Sequence, residues 1–304
     1  MLFGSVTAWA DGVQQSGLKK QTHIYAIEGA DTLRMDHYVA EREGVRPCVI
    51  FVFGGGFSGG VRDKQADIPY FEWLTSEGYD VVSIDYRLGM KDVSSPGVFD
   101  FFKLLDNSIN IAVEDLFRAT NYILEHAEQW QIDPENIVAS GSSAGAITVL
   151  QGEHIISNAL PMSKILPEGF NYAGVISFAG AIFSMDGAPE WNENSAPILL
   201  FHGNADRQVP YNKVALLGCG MYGSKYIAKK LHNAGRPYWF YSVEYETHSM
   251  ASTPMHKNHS EIMNFMEEFV LKRRALQRRS FIVDGAIPEC RTFFLPTDYI
   301  NSNY

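Results

Sequence analysis

Hydrophobic and polar positions follow two periods along this chain. Residues 22–28 and 33–39 switch between polar and apolar at nearly every step, the pattern of half-buried strands pairing antiparallel. Residues 47–53, PCVIFVF, are continuously apolar, as a strand covered on both faces requires, and the run stops at Gly54-Gly55-Gly56. Helical segments then alternate with short apolar runs. The spacing predicts helices over 66–77, 110–130, 143–156, 213–234 and 256–273. It predicts strands over 80–85, 137–140, 173–177, 197–201 and 238–245, with a turn at 133–136 and one short apolar run, 280–283, near the end. This is the order of an α/β fold: a mostly parallel central sheet, helices on both faces, and an antiparallel lead-in. No break marks a second domain, so residues 21–304 read as one. Segments near 88–107 and 155–172 show no clear period and read as flap-like insertions. The first carries Phe99, Phe101, Phe102, Leu104 and Leu105.

Composition narrows the class. With 304 residues, 46% of them hydrophobic, the chain can bury a sizeable core. A formal net charge of −10 argues against nucleic acid as a partner, because phosphate binding needs a basic face. The one cationic cluster, Lys272, Arg273 and Arg274 with Arg278 and Arg279, reads as the solvated end of a helix. No apolar stretch is long enough to span a membrane. The three cysteines have no CxxC or His-rich neighbourhood, so no metal site is expected. Cys48 reads as a buried free thiol, and pairing of Cys219 with Cys290 stays open. The first ten residues, MLFGSVTAWA, are apolar and end in a small-x-small pattern. Residues 1–20 therefore read as the remnant of an export signal, implying a periplasmic or secreted protein. The alternative is a ragged N-terminus on a cytoplasmic one.

Candidate chemistry starts at residues 137–149, IVASGSSAGAITV. Within them Gly141-Ser142-Ser143-Ala144-Gly145 is G-x-S-x-G between a predicted strand and a predicted helix. That setting singles out the middle serine, Ser143, held in a turn that only small neighbours tolerate. Ser142 takes the x position and Ser140 is still on the strand. A helix N-terminus adds a positive dipole end and a free amide at Ala144. A serine nucleophile needs a base, and the base an orienting acid; in such a fold they follow in the order Ser, acid, His at later strand ends. Residues 197–201 lead into His202-Gly203-Asn204-Ala205-Asp206, making Asp206 the candidate acid. Residues 238–245 lead into Glu246-Thr247-His248, making His248 the candidate base.

Plainer readings stand beside these. Asp206 fits a cap for a helix starting near Tyr211, and His248 fits a surface loop. His202 precedes the acid and lies close to the strand end, so it reads as a packing or hydrogen-bonding residue rather than the base. His256 and His259 read as exposed helix residues, and Asp186 and Glu246 are alternative acids. Gly55 and Gly56 are candidate oxyanion donors together with Ala144, since glycine adopts the angles that turn backbone N–H groups inward.

In this order and spacing, PCVIFVFGGGFSGG (47–60), SIDYRL (83–88), IDPENIVASGSSAGA (132–146), PILLFHGNADRQVP (197–210) and His248 resemble the α/β-hydrolase superfamily. The resemblance lies on its esterase side, near the carboxylesterase and hormone-sensitive-lipase groups, and covers about 45 to 250. It implies that Asp85, Tyr86 and Arg87 brace the nucleophile region. Two positions depart from the pattern. Phe53 stands where the hormone-sensitive-lipase pattern has a histidine before the glycines, and Ser142 stands where those lipases and carboxylesterases often carry an acid. The neutral serine looks more like bacterial acetyl and feruloyl esterases acting on plant polysaccharides.

The expected function is a serine ester hydrolase for small-molecule or saccharide esters with short-chain or carbohydrate-linked acyl groups. It is expected to need no metal and no cofactor. Phe57, the aromatic segment at 99–102 and residues 155–172 are candidate walls of an acyl pocket, against a plainer role in the core. Two other functions stay open. A prolyl-oligopeptidase-type serine peptidase is disfavoured by the lack of a large N-terminal domain in this sequence. A non-catalytic hydrolase-fold binding protein is disfavoured by the intact Ser, Asp and His set.

Overall fold

In a computed structural model of the chain, residues 18–93, 98–216 and 219–303 are described; the export-signal expectation for residues 1–10 falls outside them. The lead-in is a hairpin: β1 (Lys19–Glu28) and β2 (Asp31–Val39) pair antiparallel around Gly29, whose φ of 62° suits glycine. Next come β3 (Arg46–Val52), α1 (Ile68–Ser76), β4 (Asp80–Ile84), α2 (Val98–Trp130), β5 (Ile132–Ser142) and α3 (Ala144–Ser157). The chain continues through β6 (Gly174–Phe178), β7 (Ala181–Ser184), β8 (Ile198–Gly203), β9 (Lys213–Leu216), β10 (Cys219–Gly223), α4 (Ser224–Asn233) and β11 (Tyr238–Val243). It closes with a tight turn at His248–Ala251, α5 (Thr253–Lys257), α6 (His259–Phe265), a wide turn at Met266–Leu271, β12 (Gln277–Ile282) and α7 (Pro296–Asn303).

Nine strands form the main sheet in the order β1-β2-β4-β3-β5-β6-β8-β11-β12. From β4 to β12 neighbouring strands run parallel; β2 joins β4 antiparallel. The continuous apolar runs become the central strands: every residue of β6 and β8 is buried, as are Cys48 to Val52 of β3. Parallel strands aligned this way carry their C-terminal ends to one edge of the sheet, where β5, β8 and β11 deliver the candidate residues.

Three expected elements differ. The segment expected as a flap at 88–107 is helical from Val98, so α2 runs 33 residues. Phe101, Leu105, Ile109, Ala112, Val113, Leu116 and Phe117 are all buried and recur every three or four positions. Polar Lys103, Asp106 and Asn107 interrupt that stripe in the linear sequence without leaving the helix. The helix expected over 213–234 starts only at Ser224, and a hairpin of β9 and β10 precedes it, pairing with β7 in a small second sheet. Glycines decide this: a Cβ on Gly220, at φ 155°, would strike the Val214 carbonyl, and one on Gly223 the Pro210 carbonyl. The helix expected over 256–273 is divided at Asn258, which leaves helical geometry at φ −114°, ψ 37°. The turn expected at 133–136 lies within the irregular start of β5, where Asp133 accepts the Glu135 amide. The segment 155–172 holds the end of α3, a turn at Pro161–Ile165, and the return to β6, tied to α2 where Asn121 donates to the Ile165 carbonyl.

Cys48 is buried, as expected, and burial pushes its thiol well up. Cys219 and Cys290 are unpaired: one thiol faces the Met185 sulfur at 3.3 Å, the other the Tyr245 carbonyl. Among the described residues no helix is long and apolar enough to cross a membrane, and no cluster of His, Cys, Asp and Glu is arranged to hold a metal ion.

Candidate active site

The turn between β5 and α3 is built around close approach. A Cβ on Gly141 would land on the Gly145 carbonyl, and one on Gly145 on the Val52 carbonyl of β3. Any larger residue at either place would push the helix off the sheet. Ser143 between them sits at φ 52°, ψ −116°, a sparsely populated conformation held by its amide to the Phe178 carbonyl (2.9 Å) and by Ile147 N–H donating to its own carbonyl (2.9 Å). The side chain is thereby turned out of strand and helix alike.

Asp206 and His248 meet this serine. His248 Nε2 lies 2.8 Å from Ser143 Oγ, and His248 Nδ1 lies 2.7 Å from Asp206 Oδ2. Their loops are locked together: a Cβ on Gly203 would strike the Glu246 carbonyl, and Ala205 N–H donates to that same carbonyl at 3.0 Å. Asp206 is buried, and its other oxygen accepts the amides of Gln208 (2.8 Å) and Val209 (3.0 Å). The capping reading of Asp206 is therefore met in part, by a turn rather than by a helix. Burial pushes its carboxyl up, but hydrogen bonds from His202 and His248 outweigh burial and hold it well below the usual carboxylate range. It stays ionised. The His248 side chain keeps 14% of its surface exposed, so the relay has a buried end and an open end.

The glycine loop reaches the same place. A Cβ on Gly54 would come within 3.0 Å of both the Ser142 carbonyl and Ser143 Cβ, so the loop lies directly against the elbow. Gly55 and Gly56 have φ of 140° and 62°, the glycine-specific geometry expected of them, and Gly55 C=O accepts Ser58 and Gly59 N–H groups. Ala144 is the first residue of α3, where an amide has no partner within the helix. Phe53 braces the loop by packing: its ring lies 4.5 Å from that of Tyr86, whose hydroxyl donates to the Phe53 carbonyl at 3.0 Å. Arg87 forms a double contact with Asp115 and reaches Glu114, and Asp85 holds Arg62, so Asp85, Tyr86 and Arg87 all tie loop and α2 in place.

Other candidates fall elsewhere. Asp186 is exposed beyond β7, and Glu246 is engaged by the Ser249 hydroxyl and the Thr247 amide. His256 is exposed as expected. His259 is not: it stacks on Trp73 at 3.8 Å with its rings 4° apart. Phe57 is fully buried against Tyr86, and Phe101 is buried as well, so both take the core role; the Phe99 side chain lies outside the described ones. One contributor escaped sequence reasoning, and a second, read there as a packing or hydrogen-bonding residue, is one and has its partners fixed here. Ser142 donates to the Ala251 carbonyl at 2.7 Å, strapping the elbow to the turn that carries His248. His202 touches Asp206, at 3.3 Å. The first had no sequence signal, because its partner is a backbone carbonyl 109 residues away. The second sat in plain view four residues before the acid.

A family model described as BD-FAE matches residues 35–160. Curated relatives include fumonisin B1 esterase of Sphingopyxis macrogoltabida, 29% identical over 34% of this chain and 19% of its own. Juvenile hormone esterase of Heliothis virescens is 26% identical over 48% of this chain and 23% of its own; for acetylcholinesterase of Gallus gallus the figures are 33%, 39% and 14%. The match thus spans about a fifth of the length of these relatives. Among solved structures, esterase 2 of Thermogutta terrifontis with propionate bound superposes with a TM-score of 0.60 at 21% identity, covering 84% of this chain and 95% of that one. Its butyrate-bound form gives 0.60 at 20% identity, with the same coverage. With the sheet order and the elbow already described, these likenesses show an α/β-hydrolase fold, and the relatives the chain resembles are esterases.

Proposed function

We propose that this protein hydrolyses carboxylic esters through an acyl-enzyme formed on Ser143. The observation that carries this reading is the unbroken line Ser143 Oγ–His248 Nε2, His248 Nδ1–Asp206 Oδ2, at 2.8 and 2.7 Å, ending on a serine in a strained turn. Ser143 Oγ attacks the ester carbonyl carbon while its proton passes to His248 Nε2. Asp206, ionised and buried, fixes the ring and stabilises the imidazolium that forms. The tetrahedral oxyanion is met by the amides of Gly55, Gly56 and Ala144, each such donor lowering the barrier by about 3 kcal/mol. Collapse breaks the bond to the alcohol, which leaves with the proton held by His248. Water then repeats the attack on the acyl group and restores Ser143.

Short-chain or carbohydrate-linked acyl groups are the favoured substrates. Support comes from the propionate and butyrate bound to the Thermogutta esterase and from the neutral Ser142, here used as a strap. The test is hydrolysis of p-nitrophenyl esters of rising chain length beside acetylated and feruloylated saccharides, with fluorophosphonate labelling. Acetate to butyrate esters are expected to be best, with the label on Ser143. Label at Ser140 or Ser142, or preference for proline-containing anilides, overturns the reading.

A further inference from the structure

His202 has no part in that reaction, yet it ends inside the site. It is the penultimate residue of β8 and its ring is fully buried. His202 Nε2 lies 3.3 Å from Asp206 Oδ2 and 3.3 Å from the Val209 carbonyl. An ionised carboxylate and a carbonyl only accept, so the ring hydrogen belongs on Nε2. His202 Nδ1 lies 2.7 Å from Ser224 Oγ at the start of α4, and that hydroxyl lies 3.2 Å from the Gly180 carbonyl. The one hydroxyl hydrogen of Ser224 is then donated to His202 Nδ1, so a second hydrogen-bonded line leaves Asp206 on the side away from His248 and ends at the start of α4. Tyr211 covers the ring edge-on at 5.7 Å. The titratable groups facing His202 are Asp206 and Tyr211, with His248 across the shared carboxylate oxygen.

We propose that His202 is a positioning residue of this site: its Nε2–H shares Asp206 Oδ2 with His248, fixing the carboxylate plane and tempering its pull on His248. The proposal rests on the esterase reading above. Two amides on Oδ1 and two imidazoles on Oδ2 leave the carboxylate no rotation. A carboxylate whose charge is shared with a second donor also stabilises protonated His248 less. Losing His202 therefore has two effects: the relay loosens, and His248 holds its proton to higher pH.

Two variants separate this from packing. His202→Leu removes both ring nitrogens at similar volume. His202→Gln keeps a donor near the Nε2 position. His202→Leu is expected to lower kcat on p-nitrophenyl butyrate about tenfold to a hundredfold, the range for a lost hydrogen bond to a charged group. KM should change little, and the acid limb of kcat/KM should move up by about half a pH unit or more. His202→Gln should return the limb to its wild-type position. Ser224→Ala, which removes the support at Nδ1, should give a smaller shift in the same direction and serves where His202→Leu does not fold. Wild-type limbs in both His202→Leu and Ser224→Ala, or a Gln variant no better than Leu, overturn the proposal. Failure of the esterase reading looks different: the wild type cleaves no ester and fluorophosphonate leaves Ser143 unlabelled, and the proposal falls with it.

Discussion

Two aspartate–histidine pairs with buried carboxyls sit at opposite ends of this sheet, and only one lies at the candidate active site. At the C-terminal ends of β8 and β11, Asp206 holds His248 at 2.7 Å. At the N-terminal ends of β3 and β4, Asp80 holds His37 Nε2 at 2.8 Å. Both carboxyls are buried, and in both burial is outweighed by hydrogen bonds that pull the carboxyl below its ordinary range. The difference lies in what completes each pair. Asp80 is closed by Arg46, whose Nε donates at 2.7 Å and whose other nitrogens reach the Trp130 and Gly44 carbonyls, while the Trp130 ring covers His37 at 4.6 Å. Among the described residues no arginine or lysine pairs with Asp206, and the far side of His248 opens on a serine hydroxyl. A His–Asp hydrogen bond is thus common structural material. At the candidate site the ring's second nitrogen instead meets the hydroxyl of a serine held in a strained turn.

The largest effect should come from breaking the open end. Ser143→Ala is expected to lower ester hydrolysis by at least about a thousandfold while leaving the melting temperature close to wild type, because the relay supplies catalysis more than stability. Equal loss in the two assays would erase the distinction between the pairs. At the closed end the reverse is expected. Arg46→Met strands a buried carboxylate and should cost about 3–5 kcal/mol in urea denaturation, with hydrolysis per folded molecule unchanged. Asp80 is depressed in the folded state, so its stabilisation is present above the unfolded carboxyl range near pH 4 and lost as pH falls below it. The Arg46→Met deficit should therefore shrink in strong acid.

A third buried carboxyl sharpens the comparison, because there burial outweighs the groups that lower it. Burial pushes Glu153 of α3 up to about 8, against the Ala196 amide it accepts at 2.8 Å, a hydrogen bond from Asn171 and the charge of Arg236. A carboxyl raised in the folded state favours folding at low pH and weighs against it as pH rises from the unfolded value toward the folded one. Glu153→Gln should thus be neutral near pH 4 and stabilise by roughly 2–4 kcal/mol at pH 8. Denaturation curves at the two pH values decide it; an equal effect at both would show that the acid is not protonated in the fold. The smallest effect belongs to the strap. Ser142→Ala removes one hydrogen bond to the Ala251 carbonyl and should cost about 1 kcal/mol, read as a several-fold drop in kcat with KM held. A change in KM alone would place Ser142 against substrate instead.

How much of this was legible before the fold was known depended on the distance over which each residue acts. The strands were readable because β3, β6 and β8 are apolar on both faces, a property each segment carries alone. Ser143 was readable because its turn needs Gly141 and Gly145 within four residues of each other. Asp206 and His248 followed from chain order and strand ends. The hairpin β9–β10 was not readable, since its glycines are explained by backbone at Val214 and Pro210. Nor was the first third of α2, where three polar residues mask a buried stripe in the linear text.

By itself the sequence determined the α/β order, the elbow serine and the chemical types of its partners, since these rest on local periods and short motifs. Only the tertiary structure decided which aspartate–histidine pair faces Ser143, that His202 lies against Asp206, and that Ser142 ties the elbow to the turn carrying His248. Two of those are distances between residues far apart in the chain, brought together by parallel strands ending at one edge of the sheet, while His202 meets Asp206, four residues on, through the turn that follows β8. Hydrogen bonds of under 3 Å depend on that assembly, and no local period encodes it.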